Sequence, residues 1–290
     1  DNFGISGLEK SFDKELKGRS EPLKLTLDSD IQFLIREELI KYNKIFSTKG
    51  SGAILMNIHS GEIIAFNSLP DFDLNKREKI TDKNYINRVS KGVYEFGSVF
   101  KTFTLAAALD EKLIEPDTEF YDLPKSLTCY GFPIREYDEK IPSDLSAEQI
   151  LIRSGNVGSV KIGQEIGEKK FKSFLTKIGI LEEIKFDIQE VGKPIKFNWG
   201  KCPLATASYG HGITTTLIQL AKAYSIITNG GFYIDPLLVK REMVLNKKRV
   251  LNEDVSNKIL PILRKIVTTK EGTASLANVN GYEIGGKTGT

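Results

Sequence analysis

Between Ser98 and Glu111 the chain reads SVFKTFTLAAALDE, a run with almost no polar face. Its Ala and Leu residues favour helix, and a helix that is apolar on most sides must lie inside the molecule with other elements packed around it. The rest of the chain therefore has to supply layers on each side. Two polar residues open the run, Ser98 and Lys101. Residues three apart on a helix share a face, with Cβ atoms about 5–6 Å apart.

Several segments can provide those layers. Asp28 is a good cap for a helix over Ser29 to Phe46, where Ile31, Leu34, Ile35, Leu39 and Tyr42 recur at helical spacing. The stretch SGAILMNIHSGEIIAFNS predicts a β-hairpin, two β-rich apolar runs around the turn His59-Ser60-Gly61. LTLD before Ser29 reads as a short strand and SLPDFDLN as loop. Pro and charged residues break any long period from Glu115 to Ser143, which predicts an irregular excursion. Short helices follow near Ser146–Ile152, Val157–Ile166 and Lys169–Ile178. A longer one covers Thr216 to Thr228, stopped by Gly230 and Gly231. FYIDPLLVKREMVL reads as strand, Asp254 to Thr269 as helix, and the tail GYEIGGKTGT as extended. Together they predict an α+β fold, helices packed on an antiparallel sheet.

Bulk properties exclude more than they select. The 290 residues suffice for one large domain or two modest ones. A net charge of +3 is too small and too evenly spread to argue for nucleic acid, and the clusters NKKR and GEKKFK read as solvated turns. The two cysteines, Cys129 and Cys202, leave their pairing open, and with His59 and His211 they form no zinc-like spacing. All four read as structural residues, with no metal expected. No apolar run approaches the ~18–20 residues of a membrane span, and the start has no signal-peptide pattern. The chain opens on DNFGISG without an initiator Met and stops at GGKTGT, so an excerpt of a longer protein is expected.

Three motifs carry chemistry. A serine hydroxyl needs a group to take its proton before it attacks a carbonyl, and a lysine serves only where burial or neighbouring cations make its neutral form accessible. Ser98 and Lys101 lie among Phe96, Val99, Phe100 and Phe103, surroundings suited to that. A second Ser-x-x-Lys, Ser11 and Lys14, sits among charges and reads as exposed helix surface. IRSGNVGS supplies Ser154 and Asn156, either a helix-capping turn or a proton relay with an amide that holds a peptide carbonyl. GGKTGT supplies Lys287, Thr288, Gly289 and Thr290, a strand edge whose lysine and threonine could meet a carboxylate. Gly281 to Thr288 also matches the phosphate-loop pattern, which must follow a buried strand and open a helix, but the stretch TASLANVNGYEIGG has no clear buried strand.

The order Ser-x-x-Lys, Ser-x-Asn, Lys-Thr-Gly is the signature of penicillin-recognising serine enzymes. GLEKSFDKEL, GAILMNIHSGEIIAFNSLPDFDLN, NRVSKGVYEFGSVFKTF, ASYGHGITTTLIQLAKAYSIITNGG and EGTASLANVNGYEIGGKTGT extend the match over nearly the whole chain. The sequence resembles the transpeptidase domain of class B penicillin-binding proteins, most of all the cell-division type that makes septal peptidoglycan. This resemblance implies the penicillin-binding/serine β-lactamase-like transpeptidase fold with a helical subdomain. Residues 1–22 would be a remnant of an N-terminal pedestal and 23–290 a transpeptidase domain cut at the third motif, without its C-terminal strands and helix.

By the same resemblance Ser98 is the acylated nucleophile, Lys101 its proton acceptor, and Ser154 with Asn156 the relay and substrate-amide contact. Lys287, Thr288, Gly289 and Thr290 form the substrate-binding edge, and the N–H groups of Ser98 and Thr290 the oxyanion hole. The implied partners are peptidoglycan stem peptides, lipid-linked precursor strands, β-lactams, a membrane glycan polymerase and other division proteins. The implied place is the periplasmic face of the bacterial inner membrane, with no cofactor. Phe96 stands where Pro or Leu is commoner in the family. Alternatives are a non-catalytic penicillin-binding module or division scaffold, a serine β-lactamase and a nucleotide binder. For a β-lactamase, Glu190 lies at a plausible distance after Asn156, but QEVGKPIKFNW lacks the Glu-x-x-Leu-Asn arrangement, so a long-lived acyl-enzyme is expected.

Overall fold

A computed structural model of the chain describes residues 3–73, 86–241 and 248–290. Two short helices, α1 (Gly7–Ser11) and α2 (Asp13–Gly18), lead to α3 (Ser29–Phe46). Asp28 caps α3 as expected, its Oδ1 accepting from the N–H groups of Asp30 and Ile31, donors that a helix start leaves unpaired. The predicted hairpin forms as β1 (Ser51–Met56) and β2 (Ile63–Leu69), paired antiparallel. Alternate β2 residues, among them Ile63, Ala65 and Leu69, are buried, the two-residue period of a strand with one face in a core. Gln32 on α3 closes the outer edge of β2: its side-chain amide donates to the Phe66 carbonyl and accepts from the Phe66 N–H.

The run that opened the sequence reading becomes the centre of the molecule. A 3-10 turn, Gly97–Phe100, leads into α4 (Lys101–Asp110), every residue of which is buried. The helix is thus two-part: Ser98 lies on a first turn wound tighter than the rest. Around α4 pack α5 (Ala147–Ile152), α6 (Asn156–Ile166), α7 (Glu168–Lys177) and α10 (Glu253–Thr268), while α8 (Lys201–Ala207) lies on α6. Helix α9 (Leu217–Thr228) bridges α10 and the hairpin. Phe100, Phe103, Leu105, Phe171, Ile226 and Ile259 belong to the resulting core. Ser146 and Thr216 start α5 and α9 with capping boxes to Gln149 and Gln219. Between the helices run two short antiparallel pairs, β3 (Val93–Tyr94) with β8 (Thr215–Thr216) and β4 (Glu119–Phe120) with β7 (Leu145–Ser146).

Three expectations need correction. The excursion from Glu115 to Ser143 contains a hairpin, β5 (Ser126–Cys129) and β6 (Phe132–Arg135). Its two-residue turn is Tyr130-Gly131, both at positive φ (47° and 83°), the geometry a tight hairpin prefers. The segment from Phe232 is no continuous strand; Pro236 lacks an N–H for a ladder, and its described residues make only isolated bridges, Phe232 with Arg249, Glu62 with Leu237 and Leu25 with Val239. The end of that expected strand, residues 242–245, lies outside the described residues. LTLD likewise contributes only the Leu25 bridge. Cys129 and Cys202 pair as a disulfide with Cα atoms 5.7 Å apart, fastening the hairpin to α8. The serine of the second Ser-x-x-Lys, Ser11, accepts from the Gln189 N–H, and its lysine is exposed. Among the described residues no helix is long and apolar enough to cross a membrane.

Candidate active site

Ser98 sits on the 3-10 turn at a point where three chain segments meet without room for side chains. Gly97 adopts φ +54°, and a Cβ there would lie 2.1 Å from the Thr290 carbonyl oxygen. A Cβ on Gly289 would lie 2.6 Å from the Phe96 carbonyl oxygen. The tail Lys287–Thr290 thus runs directly against the turn. From the other side Tyr224 on α9 places its hydroxyl 3.0 Å from both the Val99 carbonyl oxygen and Thr102 Oγ1. Burial pushes that phenol's pKa up, so it stays a neutral donor.

Lys101, one turn on, is 2% exposed. Its Nζ donates to the Ser154 carbonyl (2.5 Å), to Ser154 Oγ (3.1 Å) and to Asn156 Oδ1 (2.6 Å). All are neutral acceptors. Burial first and the Lys287 charge second lower its pKa to about 7, with Glu136 opposing. Lys287 donates to the same Ser154 Oγ at 2.8 Å and to the Thr288 carbonyl at 3.0 Å, and burial lowers its pKa to about 8. Two lysines therefore converge on one hydroxyl. Ser154 itself holds φ +59°, a left-handed conformation costly for a residue with a side chain and one that tends to mark functional sites.

The β5–β6 hairpin positions Asn156. Its Nδ2 donates to the Arg135 carbonyl at 2.7 Å. Glu136, next in sequence, accepts from the Asn156 and Val157 N–H groups at 2.6 and 2.9 Å. A carboxylate at a helix start complements the dipole and its free donors. Ser98, Ser154, Asn156, Thr288, Gly289 and Thr290 all line one cavity of about 490 Å³. Lys101 and Lys287 reach it through Ser154. Among the described residues Ser98 Oγ makes no hydrogen bond to Lys101, whose ammonium is drawn to Ser154 and Asn156 instead.

Glu136 and Tyr224, and the cavity wall of Glu95, Tyr137, Tyr209 and His211, escaped the sequence reading. Glu190, the candidate deacylation base, does not line the cavity; its Oε1 accepts from the Gly7 N–H. Lys287 and Thr288, which also end the phosphate-loop pattern, are engaged with Ser154 and with Thr273 Oγ1. Among the described residues no group of His, Cys, Asp and Glu is arranged to hold a metal ion.

A Ser-x-x-Lys pair leading into a buried helix, with a Ser-x-Asn turn and a Lys-Thr-Gly edge on the same cavity, defines a penicillin-recognising fold. Residues 51–290 match the penicillin binding protein transpeptidase domain, and the chain belongs to that family. It is 30% identical over 99% of its length to the probable peptidoglycan D,D-transpeptidase FtsI of Caulobacter vibrioides, of which it covers 50%. It is 30% identical over its whole length to the stage V sporulation protein D of Bacillus subtilis, of which it covers 51%. The apo transpeptidase domain of Burkholderia pseudomallei penicillin-binding protein 3 superposes with a TM-score of 0.81 at 26% identity, over 94% of this chain and 78% of that one. The chain thus spans about half the length of the curated relatives it matches.

Proposed function

We propose that this chain is the acyl-transfer unit of a peptidoglycan D,D-transpeptidase that cross-links stem peptides in septal cell-wall synthesis and is a target of β-lactams. Residues 23–290 form the transpeptidase unit and 1–22 the end of a preceding pedestal. Ser98 Oγ attacks the penultimate D-alanine carbonyl of a peptide ending in D-Ala-D-Ala. As the C–O bond forms, the hydroxyl proton passes to Lys101 Nζ, whose four-carbon stem lets it swing from Asn156 towards the serine. A pKa of about 7 makes its neutral form abundant at neutral pH.

Ser154, bonded to both lysines, relays a proton to the leaving D-alanine nitrogen as the C–N bond breaks. Asn156 contacts the peptide amide. Lys287 and Thr288 bind the terminal carboxylate along the Gly289 edge, and the N–H groups of Ser98 and Thr290 stabilise the oxyanion, each such donor contributing ~3–4 kcal/mol. The acyl group then passes to an amine on a neighbouring strand, without a cofactor. The donor arrives in lipid-linked precursor strands at the periplasmic face of the inner membrane, beside a membrane glycan polymerase and other division proteins.

The observation that carries this reading is the meeting of two lysines on Ser154 Oγ beneath a cavity that holds Ser98. A fluorescent penicillin should label the protein on Ser98 and leave Ser98→Ala unlabelled; equal labelling of both defeats the assignment. The seating of Glu190 against Gly7 favours a long-lived adduct over β-lactamase turnover. Intact-mass measurement after penicillin treatment checks this, and rapid loss of the adduct would favour the hydrolase.

A further inference from the structure

The mechanism above uses one side of the cavity and leaves the other unassigned. That other wall is the loop Tyr209–Gly212. It is pinned to the nucleophile's own turn: Gly210 has φ +89°, and a Cβ there would lie 1.9 Å from the Gly97 carbonyl oxygen. Glu95, three residues before Ser98, accepts the Gly212 N–H at 3.0 Å and lies 3.4 Å from His211 Nδ1. The Tyr209 ring lies parallel to the imidazole, centroids 6.2 Å apart at 5°. The His211 and Glu95 side chains are 67% and 46% exposed, open to an arriving molecule. Among the described residues that line the cavity, Glu95 is the one carboxylate and His211 the one imidazole.

This polarity matters because a transpeptidase takes two chemically opposite partners. The donor ends in a carboxylate and belongs with Lys287 and Thr288. The acceptor arrives as a primary ammonium ion, which is attracted by a negative wall and cannot attack until it loses a proton. In a neutral imidazole one ring nitrogen donates and the other accepts, and with a carboxylate 3.4 Å from Nδ1 the nitrogen left to accept one is Nε2.

We propose that Glu95 and His211 form the acceptor subsite of this enzyme, Glu95 drawing in the primary ammonium group and His211 deprotonating it. The inference rests on the transpeptidase reading. The ammonium gives one proton to His211 Nε2, and the neutral amine attacks the Ser98 ester carbonyl. A C–N bond forms and the C–O bond to Ser98 breaks. The amine's second proton returns to Ser98 Oγ by way of Lys101, and the proton on His211 leaves to water.

The experiment offers the full-length protein a D-alanyl thioester donor and a stem peptide with one free side-chain amine. It measures the ratio of aminolysis to hydrolysis. Hydrolysis needs no amine and serves as the internal reference, and penicillin labelling of Ser98 counts assembled sites. His211→Asn and Glu95→Gln, the latter keeping an acceptor for the Gly212 N–H, should each lower the ratio about 10-fold or more, within the range of a lost general base. Added imidazole should restore aminolysis to His211→Ala. A ratio within twofold of the parent in both variants, a parent that only hydrolyses the donor, or no imidazole rescue overturns the proposal. A parent that penicillin does not label overturns the transpeptidase reading beneath it.

Discussion

Lys101 and Lys222 are both buried, 2% and 4% exposed, and each donates to side chains outside its own helix. Lys222 Nζ lies 2.6 Å from Asp235 Oδ1 and 2.7 Å from the Tyr233 hydroxyl, with its charge 4.1 Å from the Tyr233 ring centre. Its charge is matched by a carboxylate and an aromatic face. Lys101 meets only neutral oxygens, and the nearest cation opposes it. The nearby carboxylate, Glu136, is spent on two backbone N–H groups. At Lys101 burial, left without a paired counter-ion, lowers the pKa to about 7, which is what the proposed role as proton acceptor requires.

That contrast can be broken by two substitutions. Lys101→Ala should lower the second-order rate of acylation by penicillin by about 10²–10⁴-fold, the usual span for a general base, measured by stopped-flow labelling. Lys222→Ala should act instead on the folded state. It strips the partner from Asp235, whose side chain is 42% exposed and can rehydrate, so the loss should be about 1–3 kcal/mol, seen as a lower Tm. Below that Tm its acylation should stay within a few-fold of the parent. If Lys222→Ala slowed acylation as severely as Lys101→Ala, counter-ion pairing would not be what separates the two.

What the sequence disclosed follows the same physics. Features set by neighbours a few residues apart were legible: the Asp28 cap, the hairpin around His59-Ser60-Gly61 and the Thr216 start of α9. So were the three motifs, each of which has residues lining one cavity. The β5–β6 hairpin did leave a local sign, the Tyr130-Gly131 turn, overlooked among Pro and charges. Helix α8 hides behind Pro203, which reads as a breaker yet sits in the first turn, where its missing N–H costs nothing. Glu136 and Tyr224 carried no local sign at all. Glu136 acts across 20 residues and Tyr224 across more than 120. His211 read as a structural histidine because its partner Glu95 is 117 residues from its loop.

The smallest effect sharpens the comparison most, because it has opposite signs at two positions. The charged groups that act on Lys101 are Lys287, which lowers its pKa, and Glu136, which raises it; its hydrogen-bond partners Ser154 and Asn156 are neutral. In the proposed mechanism acylation needs neutral Lys101, so its rate should rise as pH climbs through that pKa. Removing a like charge makes protonation easier: Lys287→Ala should move the acid limb of the profile to higher pH. Removing an attracting charge makes it harder, so Glu136→Gln should move the limb to lower pH. The Lys287 influence ranks ahead of the Glu136 one, so the larger displacement is expected for the first. Lys287→Ala also lowers the height of the profile by losing a carboxylate contact, and Glu136→Gln by loosening the cap on Asn156. The midpoint, not the height, is the test. Limbs that move in the same direction in both variants would mean that the charges around Ser154 do not set the protonation of Lys101.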